Sequence, residues 1–595
     1  DGWDNLAPSD MNDTGLIVGT GYYTDPSKPG SSSELHGFLL VPVELMVDGN
    51  RDGKMSFDDP VTHANDQTTE ERPYRFWVND DQDNIAVMTV PASYAEGETV
   101  PPKQPDFANV TIRTTRDLED WTRLWISFKG VSALLKNADV TAELCLTSIS
   151  GWPAISVSEA LEADGGTKYL RISDVADAQV HERGAVYGPA TALGTIDLKS
   201  VVGGTRLSNL TESNPVLALL FEGVSEGKGS LRVRLKRGNT TLMESAGVVV
   251  DVKNVRRMYE RGKITLDAPN IADPWDNDHP APLEWSWDPW KWPPETDPKP
   301  SEQTIVYVHG WRMTYDEYLT WADTTFKRLF QLGYRGKFYS FHWPTFNGDN
   351  NGVNPLDLYL PGGTTYNASE YRAWLSGPAL ASFVNGLPNA NARYLIAHSM
   401  GNVTAGSALR NGMRVTRYAM CNSAMAAMAY DSNISDYNYE TPDTDTDQLT
   451  RETFGLSNKL NPTSTILVNY ALPADYALGQ WSVNNQVFKP QTQFAHNYYY
   501  RSGNQPGRKL TYEGLTSVRT IASVAEAMGY VTQSRSAAAG TKQSTKGSLN
   551  GGSVNMGQGG FEFGTEHSAE WIYDFHKTSV FWKEILTQFG IDVDN

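Results

Sequence analysis

The sequence predicts an α/β fold for the carboxyl-terminal half of the chain and a β-rich, sandwich-like region before it. In the carboxyl-terminal half, apolar runs of strand length, Thr304–Val308 and Tyr394–Ala397, share the chain with helical patterns such as Asn402–Arg410. Residues 105–265 instead show short alternating stretches separated by Gly, Asn and Asp turns. Strands that alternate with helices favour an α/β fold, whereas strands joined by turns favour a sandwich.

The length of the chain predicts more than one hydrophobic core. Its 595 residues exceed what one core usually supports, so we expect two or more domains. A Pro/Trp-rich passage interrupts the pattern, and its tryptophans are expected to hold it against the domain that follows. The predicted regions are a β-rich region at 1–104, a sandwich-like domain at 105–269, the connector at 270–302 and the α/β domain at 303–595.

The composition excludes several classes of protein. No apolar run approaches the roughly 18 residues that a membrane-spanning helix needs. The formal net charge of −20 argues against a nucleic-acid partner. The two cysteines, Cys145 and Cys421, lie in apolar stretches of separate predicted domains and are interpreted as buried thiols, not a disulfide or a metal site. Because the chain starts at Asp1 without methionine, we expect a processed protein.

The serine at position 399 stands at a predicted strand-to-helix corner. The strand run Tyr394–Ala397 ends just before it, Gly401 follows it by two positions, and the helical pattern begins at Asn402. Small residues on both sides suit a tight corner, since bulky side chains would clash with the neighbouring strand or the helix start. The helix amino terminus also directs N–H groups toward negative charge that develops beside the serine. The corner therefore predicts Ser399 as a nucleophile.

An earlier corner completes a recognisable pattern. The strand run Thr304–Val308 is followed by His309-Gly310-Trp311, about 90 residues before Ser399. A strand ending in His-Gly-x, and later a strand ending in x-x-Ser-x-Gly, resembles the α/β-hydrolase superfamily of esterases and lipases. The resemblance covers about residues 300–595, and the usual first glycine of the serine motif is Ala397 here.

This resemblance implies a fold and a set of roles. The sheet is expected to be mostly parallel, with helices on both faces. The backbone N–H groups of Trp311 and Met400 are implied to bind the oxyanion of a tetrahedral intermediate. Insertions near 431–463 and 477–560 stand where members of the superfamily carry caps over the site.

The acid of the superfamily follows the nucleophile in the chain, and two aspartates are candidates. Asp475 stands just past the apolar strand run Thr465–Tyr470, whereas Asp431 follows the preceding strand by about ten residues. We favour Asp475 because a short loop at a strand end holds a carboxylate better than a helix-like stretch does.

The histidine follows the acid, and three histidines remain after Asp475. His567 lies on an extended segment before the last helical pattern, which is where the superfamily carries its base. His496 lies in an aromatic stretch and is the alternative, whereas His576 lies inside the helical pattern. We therefore predict His567 as the base, with His496 kept open.

The segment 48–59 fits a calcium-binding loop. Hard oxygen donors at alternate positions can wrap one cation, and Gly53 allows the sharp turn at the sixth position. Aspartate replaces the usual glutamate at the last position, and the loop resembles the isolated Asp-x-Asn-x-Asp-Gly loops of secreted bacterial proteins. The predicted ligands of a structural Ca²⁺ are Asp48, Asn50, Asp52, the carbonyl of Lys54, Ser56 and Asp59.

These patterns lead to a functional hypothesis with two alternatives. We predict a secreted or periplasmic bacterial serine hydrolase that cleaves a carboxylic ester, small or polymeric, through Ser399, His567 and Asp475 and an acyl-enzyme. No organic cofactor is expected. One alternative is an amidase or peptidase with the same triad. The other is a calcium-binding surface or adhesion protein whose hydrolase-like domain does not catalyse a reaction.

Overall fold

A computed structural model describes most of the predicted strands and helices, which fall into two compact units. The first unit lies within residues 1–255 and the second begins at residue 256. The described residues are 3–11, 17–24, 32–40, 43–78, 118–160, 195–264, 283–287, 303–313, 315–345, 372–373, 375–388, 392–424, 465–472, 475, 553–556, 561, 563–564, 566–572 and 575–591.

The first unit is rich in antiparallel strands. It begins with a three-stranded sheet in the order β1 (Trp3–Met11), β2 (Ile17–Tyr23) and β3 (Glu34–Leu40). An eight-stranded sheet follows, accompanied in the described residues by three short α-helices. Its elements are β4 (Glu44–Met46), α1 (Pro60–Asn65), β5 (Tyr74–Trp77), β6 (Thr122–Ser127), β7 (Val140–Glu159), β8 (Thr195–Asp197), α2 (Leu198–Val202), α3 (Gly204–Ser208), β9 (Val216–Arg237), β10 (Thr240–Glu244) and β11 (Val248–Lys253).

The long strand β9 organises the eight-stranded sheet. It pairs antiparallel with β6 near its start, with β11 in its middle and with β7 along almost its whole length. Between Leu231 and Leu235, fully buried residues alternate with half-buried ones. This period of two is that of a strand with one face on a core. The predicted β-rich region is therefore confirmed.

The second unit holds an eight-stranded sheet in the order β13-β12-β15-β14-β16-β17-β18-β19. All of its neighbouring strands are parallel except the pair β12–β13. The elements are β12 (Glu260–Ile264), β13 (Trp285–Trp287), β14 (Thr304–Val308), α4 (Tyr315–Gln331), β15 (Lys337–His342), α5 (Gly377–Gly386), β16 (Arg393–His398), α6 (Gly401–Arg410), β17 (Arg417–Cys421), β18 (Ile466–Ala471), β19 (Ser553–Asn555), α7 (Ala569–Ile572) and α8 (Phe575–Phe589).

Helices cover both faces of this sheet. Val308 joins a core that includes residues of α5 and α6, whereas its neighbour Tyr307 faces Trp571 of α7 with 5.8 Å between ring centroids. On that second face, Tyr394 of β16 stacks 4.9 Å from Phe589 of α8. Successive side chains of a strand point to opposite faces, so a strand buried on both faces is a continuous apolar run. The predicted α/β fold class is confirmed.

The order of the strands creates a reversal at β14. This strand pairs with β15 on one side and with β16 on the other. In open α/β sheets, ligands bind at the carboxyl ends of the strands beside such a reversal. The residues at these two ends are His309 and Ser399, so the fold places the two predicted corners together.

The units divide the chain differently from the predicted regions. Strand β5 pairs with β11, so strands from both sides of residue 104 share one sheet. Strand β12 lies within the predicted domain 105–269 but pairs with β15 of the second unit. In the described part of the connector, Trp285 and Trp287 lie 5.0 and 5.4 Å from Phe383 of α5, measured between ring centroids. The predicted insertions lie outside the described residues apart from 553–556.

Candidate active site

Ser399 occupies a strained corner between β16 and α6. Its φ is +50°, a left-handed conformation that a non-glycine residue adopts only when its surroundings enforce it. Its N–H donates to the Cys421 carbonyl at 3.0 Å, and its carbonyl accepts from the N–H groups of Asn402 and Ala424 at 3.1 Å each. The end of β17 therefore holds both sides of the serine backbone.

Two glycines allow the loop after β14 to approach Ser399 closely. A Cβ on Gly401 would lie 2.4 Å from the carbonyl oxygen of His309. A Cβ on Gly310 would lie 2.8 Å from Nδ1 of His398 and 3.1 Å from Cβ of Ser399. Both positions are too tight for a side chain, and this explains glycine at each of them.

His567 lies between Ser399 and Asp475. Its Nε2 is 2.8 Å from the Ser399 hydroxyl, and its Nδ1 is 2.6 Å from Oδ2 of Asp475. The three side chains come from distant parts of the chain, and the sheet brings them into one hydrogen-bonded series. Of the alternatives, Asp431 and His496 lie outside the described residues, and His576 lies within α8.

The electrostatic surroundings of His567 raise its pKa. Burial lowers the pKa of His567, but the charge and hydrogen bond of Asp475 and the charge of Glu566 outweigh it and leave the pKa above its ordinary value. Because Nδ1 of His567 bonds to the Asp475 carboxylate, Nε2 is the ring nitrogen that faces the serine hydroxyl. This arrangement can accept a proton from Ser399 and hold the resulting imidazolium.

Two buried side chains fix the backbone of His567. The carbonyl of His567 accepts from Nε2 of His398 at 3.0 Å and from Nδ2 of Asn422 at 2.6 Å. Asn422 has φ +41°, and its Nδ2 also donates to Glu570 at 2.9 Å. Burial and the nearby His567 lower the pKa of His398 well below its ordinary value, so this ring is neutral. Sequence reasoning missed Asn422, although asparagine just after a strand is a signal for the left-handed conformation.

The loop after β14 starts beside the nucleophile. His309 is buried, and its ring stacks 5.3 Å from that of Trp343, whose backbone N–H donates to its Nε2 at 3.2 Å. Its Nδ1–H donates to the Gly310 carbonyl at 2.8 Å, so the ring shapes the loop and does not face the serine hydroxyl. Trp311 follows Gly310, where an added Cβ would lie 3.1 Å from Cβ of Ser399, and Met400 is the buried first residue after the serine.

The predicted calcium ligands lie on a curled loop in the first unit. The two carboxylate oxygens of Asp48 accept the N–H groups of Asp52 at 3.0 Å and Gly53 at 2.9 Å. Asp48 also forms an ion pair with Arg123 at 2.8 Å. The Asn50 amide donates to Asp52 at 2.9 Å, so three of the predicted ligand side chains are neighbours.

The other predicted ligands have different partners. Asp59 is exposed and caps α1, where its side chain accepts from Val61 N–H at 3.2 Å and from the Thr62 hydroxyl at 2.6 Å. The Ser56 hydroxyl accepts the Asp59 N–H at 3.0 Å, and Lys54 donates its N–H to Asp52 at 2.9 Å. As placed, no three His, Cys, Asp or Glu side chains of the described residues are gathered closely enough to hold a metal ion.

Comparison with known proteins supports the fold of the second unit. Residues 295–492 match the model of a family described as an alpha/beta hydrolase of unknown function, DUF900. This match supports the resemblance to the α/β-hydrolase superfamily and includes the corners at Gly310 and Ser399. No curated protein matches the chain. Among the helices that the structure describes, none is long and apolar enough to cross a membrane.

Proposed function

We propose that the protein is a serine hydrolase that cleaves carboxylic esters through Ser399, His567 and Asp475. The observation that carries this proposal is the position of His567, whose two ring nitrogens lie 2.8 Å from the serine hydroxyl and 2.6 Å from the carboxylate. A general base must lie within hydrogen-bond reach of the proton it removes, and this one does. The family match to an alpha/beta hydrolase supports the same reaction class.

The proposed reaction follows from the roles of these groups. His567 takes the hydroxyl proton as Ser399 attacks the acyl carbon, and Asp475 holds the imidazole orientation and stabilises its positive charge. The alcohol leaves with the proton from His567, and water then hydrolyses the acyl-enzyme by the same steps. The N–H groups of Trp311 and Met400 are proposed to bind the oxyanion, each stabilising it by roughly 3 kcal/mol.

Replacement of the nucleophile tests this proposal. Ser399→Ala should lower the turnover of a p-nitrophenyl ester by on the order of 10⁴-fold or more and abolish labelling by a fluorophosphonate. The melting temperature should change little, because only one hydroxyl is lost. Ser200→Ala, which changes an exposed serine of the first unit, is the matched control. An active, labelled Ser399→Ala protein would overturn the proposal.

A substrate panel separates esters from amides. The triad geometry is common to both reactions, so the leaving group is chosen by the surrounding pocket. We expect p-nitrophenyl esters of short, medium and long acyl chains to be hydrolysed faster than the matching p-nitroanilides. Faster anilide cleavage would make the protein an amidase or peptidase, and no cleavage or labelling would favour a binding protein with a non-catalytic domain.

The cellular location is proposed from the sequence of the acidic loop at residues 48–59. Its Asp-x-Asn-x-Asp-Gly pattern resembles loops of secreted bacterial proteins, and we therefore propose a secreted or periplasmic protein. Cell fractionation of the producing organism, followed by fluorophosphonate labelling of each fraction, tests the location. Labelled protein found only in the cytoplasmic fraction would contradict it.

A further inference from the structure

Asp66 in the first unit has a buried carboxylate oxygen that the protein leaves without a partner. The residue follows α1 and is only 3% exposed. Its Oδ1 accepts a long hydrogen bond of 3.4 Å from the N–H of Asn50, so the carboxylate faces the acidic loop. Its Oδ2 has no hydrogen-bond partner. A buried charged oxygen is unfavourable unless a donor or a cation compensates it.

Other negative groups surround this oxygen. The carboxylates of Asp48 and Asp52 lie close enough to Asp66 to act on it electrostatically. The guanidinium of Arg123 approaches the cluster, where it donates to Asp48 at 2.8 Å and to the Gly53 carbonyl at 3.2 Å. Arg123 therefore compensates Asp48, whereas Oδ2 of Asp66 stays without a hydrogen-bond donor.

The loop also retains oxygen lone pairs that could bind an ion. An ionised carboxylate offers about four acceptor positions. Asp48 uses three of them, for Asp52 N–H, Gly53 N–H and Arg123. The amide oxygen of Asn50 accepts the N–H of Asp52 at 2.8 Å and keeps a second lone pair. These neighbouring donors are all hard oxygens, which is the ligand set that calcium prefers.

We propose that Asp66 binds one Ca²⁺ together with Asp48, Asn50 and Asp52, and that Asp59 caps α1 instead of binding the ion. Because these side chains are not yet gathered around one point, they close on the ion as it binds, and water completes the shell. Calcium accepts this, since its six to eight oxygen ligands have flexible geometry, whereas Mg²⁺ demands a near-ideal octahedron. The site does not depend on the proposed hydrolase activity.

Paired Asp→Asn substitutions distinguish Asp66 from Asp59. The full-length protein is stripped with a chelator, and Ca²⁺ binding is measured by isothermal titration calorimetry. The wild-type protein should bind one ion in this loop, and Asp66→Asn should weaken that binding by about tenfold or more, because affinity follows the charge of the ligands. Asp59→Asn is the matched control: asparagine caps a helix as well as aspartate does, so binding should change by less than about twofold.

Thermal melting provides a readout that a purely structural Asp66 would not give. In chelator, Asp66→Asn should melt at or above the wild-type temperature, because the substitution removes a buried charge beside Asp48 and Asp52. In saturating Ca²⁺ the order should reverse, because only the wild-type protein gains stability from the ion. Wild-type protein that binds no Ca²⁺, loss of binding in Asp59→Asn but not in Asp66→Asn, or an Asp66→Asn protein that is less stable or unfolded in chelator would each overturn the proposal.

Discussion

In the second unit, both ring nitrogens of His567 have partners, whereas in the first unit one oxygen of Asp66 has none. The first arrangement holds its geometry with the protein's own groups, through hydrogen bonds that reach Ser399 from β17. In the second arrangement, no hydrogen-bond donor of the protein compensates the Oδ2 oxygen of Asp66. The comparison teaches that the candidate active site is preorganised, whereas the loop at 48–59 is proposed to depend on a bound ion. Substitutions should therefore affect activity in one unit, and ion removal should affect stability in the other.

The largest effect is expected at the base. His567→Ala should lower ester turnover by about 10⁴-fold or more, nearly as much as loss of Ser399, because the groups act as a unit. Steady-state turnover and a thermal melt of the same sample measure it, with the exposed His36→Ala as control. An inactive His496→Ala protein beside an active His567→Ala protein would identify His496 as the base. It would also show that the hydrogen bonds of His567 with Ser399 and Asp475 do not serve the reaction.

A slightly smaller effect is expected for the acid. Asp475→Asn should lower turnover by roughly 10³–10⁴-fold, because the neutral amide no longer fixes the imidazole or stabilises its charge. The wild-type kcat/KM should rise with pH through the pKa of His567, since the base acts only when deprotonated, and this pKa lies above its ordinary value. With Asn at 475 the pKa of His567 should fall, because the charge that raises it is gone. The acid limb of the kcat/KM profile should therefore move to lower pH. An unmoved limb would show that another group titrates.

An intermediate effect is expected where the two corners meet. Gly401→Ala should lower turnover by about 10–100-fold, because its Cβ would lie 2.4 Å from the His309 carbonyl and must displace the corner. Overpacking of this kind also costs about 1–3 kcal/mol of stability. Gly204→Ala is the matched control, since Gly204 is likewise the first residue of a helix but has open space around it. Equal turnover in the Gly401→Ala and Gly204→Ala variants would mean that the close approach of Gly401 to the His309 carbonyl does not position Ser399.

The smallest effect on turnover is expected from calcium removal. A chelator should lower the melting temperature of the first unit by several degrees, because free Ca²⁺ at about 100 times the Kd stabilises the folded protein by roughly 2.7 kcal/mol. Ester turnover of the still-folded protein should stay within about twofold, since the loop supplies no group to the Ser399 site. Calorimetric melting and a turnover assay on one preparation check both halves. Loss of ester turnover in chelator, at temperatures where the protein remains folded, would show that the loop in the first unit affects the activity of the second.

The second unit could be predicted largely from local patterns. The runs Thr304–Val308 and Tyr394–Ala397 are strands, and Ser399 stands at the corner where the pattern placed it. These features rest on neighbouring residues, so the chain order of the superfamily could extend them to Asp475 and His567. Asn422 was missed because its importance lies in a contact with His567, 145 positions away, that no local pattern contains.

The first unit was harder for the same physical reason. Counting along the loop from Asp48 places the last oxygen ligand at Asp59, but that side chain caps α1. Asp66 approaches the loop only because α1 folds back and carries it there, as the 3.4 Å contact with Asn50 shows. Strand β12 lies within the predicted region 105–269 but pairs with β15, and its residues, Glu260–Ile264, lack an alternating apolar pattern that would have indicated a strand.

The separation of Ser399 and His567 by 168 residues has a consequence during protein synthesis. A ribosome adds about 5–20 residues per second, so the serine emerges roughly 10–30 seconds before its histidine. Throughout that time β14, β16 and β17 can assemble around Ser399, yet the hydroxyl has no base and remains an ordinary, weak nucleophile. In the proposed mechanism, Ser399 therefore does not react with a substrate before His567 has been synthesised. Under this proposal, reactivity begins only when the segment that carries His567 packs beside Ser399 and Asp475.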